Sequence, residues 1–570
     1  MSHNFLLQLL MLLLLLVSSV ILLDDGRLQL GDTKIRKEEI VLRRVDVEGD
    51  FMNAKRRVLA PSSIRISIDF KYGDLIVPSN NSMYSLYQYS KTFATQIIAY
   101  YGLTLQINTP VASMKLPAFP LVSISVTVPA QTVVADIYIV FVPTYSSTSG
   151  TFASAAPILV SNSNGRAVAG EFDLNLYAVN PVVSQTNVIF SVFLHELFHI
   201  FAFNDAFYGT LRYANGSTIS VANTVAGPTS LNGISYSGII LPNSVAFSKA
   251  YLNDNTLTQV LLEVAGGSGS AGSHWAFIYW PTDFMHPVST NPALISKLSL
   301  SLAQDTGWYT VNFTMAEEMT YGQNAGANYQ NGLCPSSSIT GFCSSSQSGV
   351  ASCSPDYTMK TRCVTVPKFG GGCYYNTGEI DCTIEDTSTY ISIGRMAQGE
   401  TSGKGARCMK AISSGNAVSM CGAASCDNLG TTATWKYVND SVTCTCPPNS
   451  AGSTVTCTGA TSLSVICPDT ADFCNRQKPL NRCPNDCSSN GRCLGPLGGK
   501  FCFCMYGYMG DDCSVMNPSQ TFVRPTVSQT SNNNSANTTL NNINSTQTGD
   551  ESNLARICLL WITLIILLLF

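Results

Sequence analysis

The stretch TNVIFSVFLHELFHIFAFND, residues 186–205, decides how this chain is read. Val188, Phe190, Val192, Phe193, Leu194, Leu197, Phe198, Ile200 and Phe201 place apolar side chains on nearly every side, which predicts a helix enclosed by other elements rather than one lying on a surface. Within it, His195, Glu196 and His199 spell H-E-x-x-H. Two histidines four apart share one helical face and can reach one Zn²⁺ ion, and the glutamate between them projects beside the water that the ion activates. Burying two imidazoles and a carboxyl in so apolar a helix is costly unless a metal and water engage them. A catalytic zinc takes three protein ligands and one water. The chain has five histidines, of which His3 lies in the apolar N-terminal segment. The third ligand is therefore His274, His286 or a carboxylate such as Glu263, Glu317 or Glu318.

Working outward, 570 residues exceed a single core and imply several domains. Charged residues are 12% of the chain, about half the usual share, and the net charge is −4. Without a basic footprint, nucleic acid is not an expected partner. A hydrophobic content of 45% excludes a wholly disordered chain.

The two ends suggest an address. Residues 1–23 read as a secretory signal peptide. At the other end, ICLLWITLIILLLF (557–570) is shorter than the roughly 20 apolar residues that span a bilayer. It follows an Asn/Ser/Thr-rich linker, 516–548, so residues 549–570 read as a GPI-anchor signal. The expected location is the extracellular face of the plasma membrane, with the membrane reached through that anchor. Asn80, Asn215, Asn312, Asn439, Asn533 and Asn537 each open a glycosylation sequon, which agrees with such an address.

All 21 cysteines lie at or beyond Cys334, and 20 of them fall between Cys334 and Cys513. In a secreted chain this density means about ten disulfides. Residues 331–476 are expected to form a disulfide-rich domain whose 14 cysteines have no pairing derivable from spacing. Residues 477–515, CPNDCSSNGRCLGPLGGKFCFCMYGYMGDDC at their centre, resemble an EGF-like module. That resemblance implies the pairs Cys483–Cys493, Cys487–Cys502 and Cys504–Cys513.

The segment GGSGSAGSHWAFIYWPTDFMHPVS (266–289) bears on the third ligand. His274 follows a Gly/Ser-rich loop, and Met285 follows eleven residues later, before Pro287. DFMHP resembles the methionine turn of metzincins. Together with Gly272-Ser273-His274-Trp275, Asp305-Thr306-Gly307-Trp308-Tyr309 and GRAVAG (165–170), it resembles the leishmanolysin family of surface metalloproteases, over roughly residues 57–334. The resemblance implies an α+β fold: a metzincin-type zinc protease domain at 58–330 with an active-site helix and a substrate-binding edge strand, followed by the disulfide-rich, mostly β/loop domain and the EGF-like module. It implies one catalytic Zn²⁺ on His195, His199 and His274, with His286 the runner-up ligand and more a turn residue. It implies Glu196 as the general base, Met285 as a support beneath the metal, and Ala167–Gly170 as the edge strand that pairs with protein or peptide substrates. The function implied is a cell-surface zinc metalloendopeptidase, with a role in adhesion alongside. Two alternatives stand beside it: a vestigial protease serving as an adhesion protein, and a peptidase with Glu263 as third ligand.

The chain departs from the family pattern at several positions. Ala202 occupies the place of the family's helix-ending glycine, which suggests Asn204 as the residue that takes the left-handed turn. Family cysteines are missing near Ala156, Leu176 and Ala327. No cysteine is present to block the metal from the pro-segment expected at 24–57, whose processing site would be Lys55-Arg56-Arg57 unless that run is simply a basic surface patch.

Overall fold

A computed structural model describes residues 42–45 and, apart from internal stretches of which 384–395 is the longest, residues 62–516. The expected signal peptide, most of the 24–57 pro-segment, all but the first residue of the 516–548 linker and the anchor signal at 549–570 lie outside the described residues.

The part of the chain ahead of the first cysteine is built on a five-stranded sheet. Its strands are β1 (Arg43–Val45), β2 (Ile66–Asp69), β3 (Ile137–Thr144), β4 (Ala153–Ser161) and β5 (Ala167–Asn175), in the spatial order β1-β4-β5-β3-β2. β2, β3 and β5 run parallel, β4 runs antiparallel to β5, and β1 lies parallel to the end of β4. Helices α1 (Tyr84–Thr104) and α2 (Thr186–Phe201) cover one face. In α1, Leu86, Ser90, Phe93, Ile97, Tyr100 and Thr104 recur at helical spacing and are buried. In α2, every described residue from Leu197 to Phe201 is buried, as its all-round apolar pattern requires. Phe141 and Phe172 of the sheet meet Phe193 of α2, the last two at a 5.0 Å ring separation. The Tyr101 hydroxyl donates to the Leu194 carbonyl at 2.6 Å, holding α2 one residue before His195.

The sheet corrects one expectation. Ala167–Gly170 is not an edge, because β5 is paired on both sides, with β4 and with β3. Gly170 has a different task there. A Cβ on it would stand 2.7 Å from the Ile200 side chain and 3.0 Å from the Ala156 carbonyl, so the glycine lets α2 lie close to the sheet. The edge belongs to β4. β1 reaches only Leu159–Ser161, and among the described residues no strand pairs with the outer side of Ala153–Ile158. Pro157, which lacks an N–H, fits an edge strand and not a central one.

Helix α3 (Pro242–Leu252) and helix α4 (Lys297–Asp305) complete this half. Leu241 precedes α3 and has no side chain able to cap it. Asp305 does so from α4, accepting from the Asn243 and Ser244 N–H groups at 2.9 and 2.8 Å. A carboxylate at that end also complements the helix dipole. Gly307 follows with φ +73°, and a Cβ there would meet the Arg212 carbonyl at 2.1 Å, so only glycine serves. Tyr309 then donates from its hydroxyl to the Phe201 carbonyl at the end of α2. The Asp-Thr-Gly-Trp-Tyr motif thus braces two helix ends. Where the family's cysteines are missing, Ala156 and Leu176 are packed into the core and Ala327 is exposed.

The cysteine-rich part is all antiparallel: a three-stranded sheet (Ala351–Cys353, Met359–Thr365, Tyr374–Asp381) and a six-stranded one spanning 406–466. Its pairs are Cys334–Cys373, Cys343–Cys363, Cys353–Cys408, Cys382–Cys421, Cys426–Cys474, Cys444–Cys457 and Cys446–Cys467. Cys353–Cys408 and Cys382–Cys421 tie the two sheets together. Further on, Cys487–Cys502 and Cys504–Cys513 are bonded. Cys483 is bonded too, while the Cys493 side chain lies outside the described residues. Among the described residues no helix is long and apolar enough to cross a membrane.

Replacing Gly170 by Ala should lower stability by about 1–3 kcal/mol, because α2 must move off the sheet to admit one methyl. Chemical denaturation of the two proteins measures this, and an unchanged midpoint contradicts the packing role.

Candidate metal centre

α2 turns His195 and His199 to one side, and a second segment brings a third ring to them. The His195 and His199 Nε2 atoms are 3.0 Å apart, His195 and His274 also 3.0 Å, and His199 and His274 3.2 Å. Among the described residues no other histidine or carboxylate joins this group.

His274 lies 75 positions beyond His199, and its return has an identifiable cause. Ser273 Oγ meets the Asp205 N–H at 3.1 Å, and the Tyr208 hydroxyl donates to the Gly272 carbonyl at 2.8 Å. The loop is thereby fastened to the chain just past α2. Behind it, the Glu263 N–H donates to the His274 carbonyl and the Gly272 N–H to the Glu263 carbonyl. The Trp275 N–H donates to the Met285 carbonyl at 3.1 Å, which brings in the methionine turn. Met285 itself is fully buried.

The outer nitrogens settle the tautomers. His195 Nδ1 is 2.5 Å from the Phe284 carbonyl, His199 Nδ1 2.6 Å from that of Phe203, and His274 Nδ1 2.8 Å from that of Ser270. A carbonyl only accepts, so each Nδ1 carries the proton and donates. Each Nε2 then turns a bare lone pair toward the other two. Burial holds all three imidazoles below their ordinary pKa, His199 at about 4, and the neighbouring rings add to this for His195 and His274. Three facing lone pairs repel one another unless a cation sits between them. Tetrahedral zinc with nitrogen bonds of about 2.0–2.1 Å needs donors about 3.3 Å apart, close to the spacing found. The carbonyls on the outer nitrogens are the orienting contacts that metal-bound histidines ordinarily have. The residues present therefore fit a zinc ion.

Glu196 stands beside the group, partly open to solvent. Burial pushes its carboxyl up to about 8, opposed by a hydrogen bond from the Ala155 backbone on the free edge of β4. The other candidates are engaged elsewhere. Glu263 accepts the N–H groups of Val264, Ala265 and Phe277. Glu317 accepts that of Ile295, and Glu318 is exposed. His286 accepts the Val288 N–H at 3.2 Å and packs its ring edge-on against Phe277.

The helix exit differs from expectation. Neither Ala202 nor Asn204 has a positive φ. The Ala202 and Phe203 N–H groups both donate to the Phe198 carbonyl, which ends the helix without a left-handed residue. Asn204 is extended at φ −140° and caps the short turn Asp205–Phe207 through its side chain. The replacement of glycine is tolerated because no left-handed conformation is required there.

Sequence reasoning missed Asp283. This buried carboxyl accepts from the Met285 N–H at 2.6 Å and from the hydroxyls of Ser296 and Ser299, while Ser299 accepts from the Trp275 indole at 2.9 Å. One carboxyl thus joins the methionine turn, the residue after His274 and the start of α4. The signal was its place at the head of DFMHP, but a lone Asp in a turn carries no mark of burial.

Residues 105–370 match the family model described as Leishmanolysin, Peptidase_M8. Curated relatives include a "Leishmanolysin homolog" of Crithidia fasciculata, 25% identical over 264 residues, covering 42% of this chain and 37% of that protein. A "Leishmanolysin" of Leishmania major is 27% identical over 183 residues, 31% of this chain and 28% of that one. A "Leishmanolysin-like peptidase" of Drosophila melanogaster is 24% identical over 197 residues, 30% and 29% respectively. The chain spans about a third of the length of these relatives. The family resemblance read from the motifs holds over this segment, which extends past position 330 into the first disulfides.

Asp283 is pushed up to about 6, chiefly by burial. Its folded pKa exceeds the unfolded value near 4, so the folded state binds more protons between about pH 4 and pH 6 and stability declines as pH rises through that window. Asp283→Asn should remove this decline, measurable as a flatter dependence of the unfolding midpoint on pH. An identical slope in both proteins contradicts the assignment.

Proposed function

From the leishmanolysin-like segment and the three converging imidazoles, we propose that this protein is a zinc metalloendopeptidase. The observation that carries the reading is the mutual 3.0–3.2 Å spacing of His195, His199 and His274 Nε2. These three hold the zinc ion. When bound, the ion supplies a Lewis-acid centre that polarises a scissile carbonyl and makes water a stronger acid at neutral pH.

The remaining work falls to the chain's own groups. Glu196 takes the proton of the attacking water and delivers it to the leaving amine, both within reach of one carboxyl. An extended protein or peptide substrate adds to the free side of Ala153–Ile158, where main-chain pairing aligns it beside Glu196. Phe284, Phe203 and Ser270 hold the imidazoles through their carbonyls. Asp283 acts one layer further out, as a positioning residue.

The proposed address is the outer face of the plasma membrane, through the tail at 549–570. Supporting it are the disulfides and the exposure of the sequon residues Asn80 and Asn215. A contact role for the cystine-rich part belongs to the same proposal.

Glu196→Gln should retain zinc and lose at least about 100-fold in peptide hydrolysis, the scale of a lost general base. His274→Ala should lose both metal and activity, read by metal analysis of the purified protein beside a peptidase assay with and without chelator. Zinc retained at full occupancy in His274→Ala would sink the three-histidine assignment.

A further inference from the structure

The face of the sheet turned away from α1 and α2 holds two buried carboxyls that the metal centre does not use. Phe172 of β5 meets Phe193 of α2, so its neighbours Glu171 and Asp173 point to the opposite face. Glu171 is 1% exposed and Asp173 6%. A covering segment, in which Leu116, Phe119 and Leu121 share an apolar cluster with Val140 and Val142 of β3, closes over them. Glu171 accepts from the Val122 N–H at 2.5 Å, the Ser123 N–H at 2.9 Å and the Ser123 hydroxyl, and so grips the turn of that cover. Asp173 has fewer donors. Its Oδ2 accepts from the Ser154 hydroxyl of β4 at 3.3 Å, and its buried Oδ1 has no donor. The two carboxyls lie within hydrogen-bond reach of each other. Ionised carboxylates only accept, so the pair is stable only with a proton between its members. Three donors mark Glu171 as the anion, and the oxygen without a donor marks Asp173 as the acid. Level with them on the neighbouring strands are Val140 and Val142 of β3 and Ala156 and Ser154 of β4, none of them charged. Lys115, the one charged residue in 105–133, is exposed, and Tyr138, next along β3, donates to Asp69. Among the described residues neither carboxyl forms an ion pair.

We propose that Glu171 and Asp173 share one proton, and that this proton is a pH-sensitive clasp fastening the cover at Val122–Ser123 to β5 and β4. With the proton in place, Asp173 donates to Glu171 and accepts from Ser154, so cover, central strand and edge strand belong to one network. When the proton leaves, two like charges face each other in a buried site. Parting the cover admits water and relieves them. Burial first, and the Glu171 charge second, hold the Asp173 acid well above the ordinary carboxylate range, against the Ser123 and Ser154 hydroxyls. The closed clasp therefore binds a proton that the open one releases at lower pH. Closure is strongest in acid and weakens as pH rises from the ordinary carboxylate range, near 4, to the pH at which Asp173 ionises inside the clasp. The clasp stands on this geometry and does not depend on the peptidase reading.

The test compares the full chain with Asp173→Asn, whose amide can still donate to Glu171 and accept from Ser154 but has no proton to lose. In infrared difference spectra near neutral pH, the unaltered protein should show the carbonyl band of one protonated carboxyl that the variant lacks. Amide exchange across Val122 and Ser123, corrected for intrinsic base catalysis, should lose protection by up to about tenfold per pH unit over the stated window, the linkage expected of one proton. In Asp173→Asn that protection should stay level. The pH series on the unaltered protein needs no variant, because α1 serves as a reference within the same molecule. Protection at 122–123 that keeps a constant ratio to that of α1 across the window overturns the clasp. An infrared difference without a protonated-carboxyl band overturns the shared proton. A pH slope of equal size in Asp173→Asn assigns the titration to another group and overturns the role of Asp173.

Discussion

Three imidazole lone pairs facing one another across about 3 Å in a buried pocket are an electrostatic liability, and much of the part of the chain that carries them is arranged around that fact. The rings remain neutral because burial disfavours their charged forms. They remain aimed because each outer nitrogen is held by a main-chain carbonyl. Carbonyls are suited to this task, since they have no proton to give and so admit only one tautomer. The apolar helix supplies two rings at a fixed spacing, and the anchors behind it set their depth: Tyr101 on Leu194, Tyr309 on Phe201, and Gly170 opposite Ile200.

The third ring poses a different problem, because ordering a long connection costs entropy that nearby contacts must offset. The chain closes the excursion with Ser273 on Asp205 and Tyr208 on Gly272, directly beyond the helix that carries the other two rings. Glu263, a possible ligand by sequence, is spent instead on three backbone N–H groups beside that closure. Asp283 performs a similar service for the methionine turn. Buried carboxyls here organise main chain, and among the described residues the converging group consists of histidines alone.

The cystine-rich part touches this machinery as well. Phe277 packs its ring against both His286 and Tyr375, and the Tyr321 hydroxyl donates to the Asn376 carbonyl. A division at residue 330 therefore cuts through packed side chains, consistent with a family match that runs to 370. With most of its strands short, this part gains rigidity from disulfides where a large core is lacking.

Much of the site was legible in the residue order, because helical periodicity alone puts His195 and His199 on one face and an all-apolar surround marks their helix as enclosed. The Gly-Ser-His-Trp and methionine-turn motifs singled out His274 by likeness, and its meeting with the other rings is a matter of tertiary closure. Folding also decided which strand is the edge: Gly170 reads equally well as an edge residue or a close-packing one until Ile200 is seen against it. It decided the helix exit at Ala202, the seven pairings between Cys334 and Cys474, and the burial of Asp283. Local spacing determines which side chains share a face of one element. Partners distant along the chain are chosen by the packing of whole elements, and no short stretch of sequence records that choice.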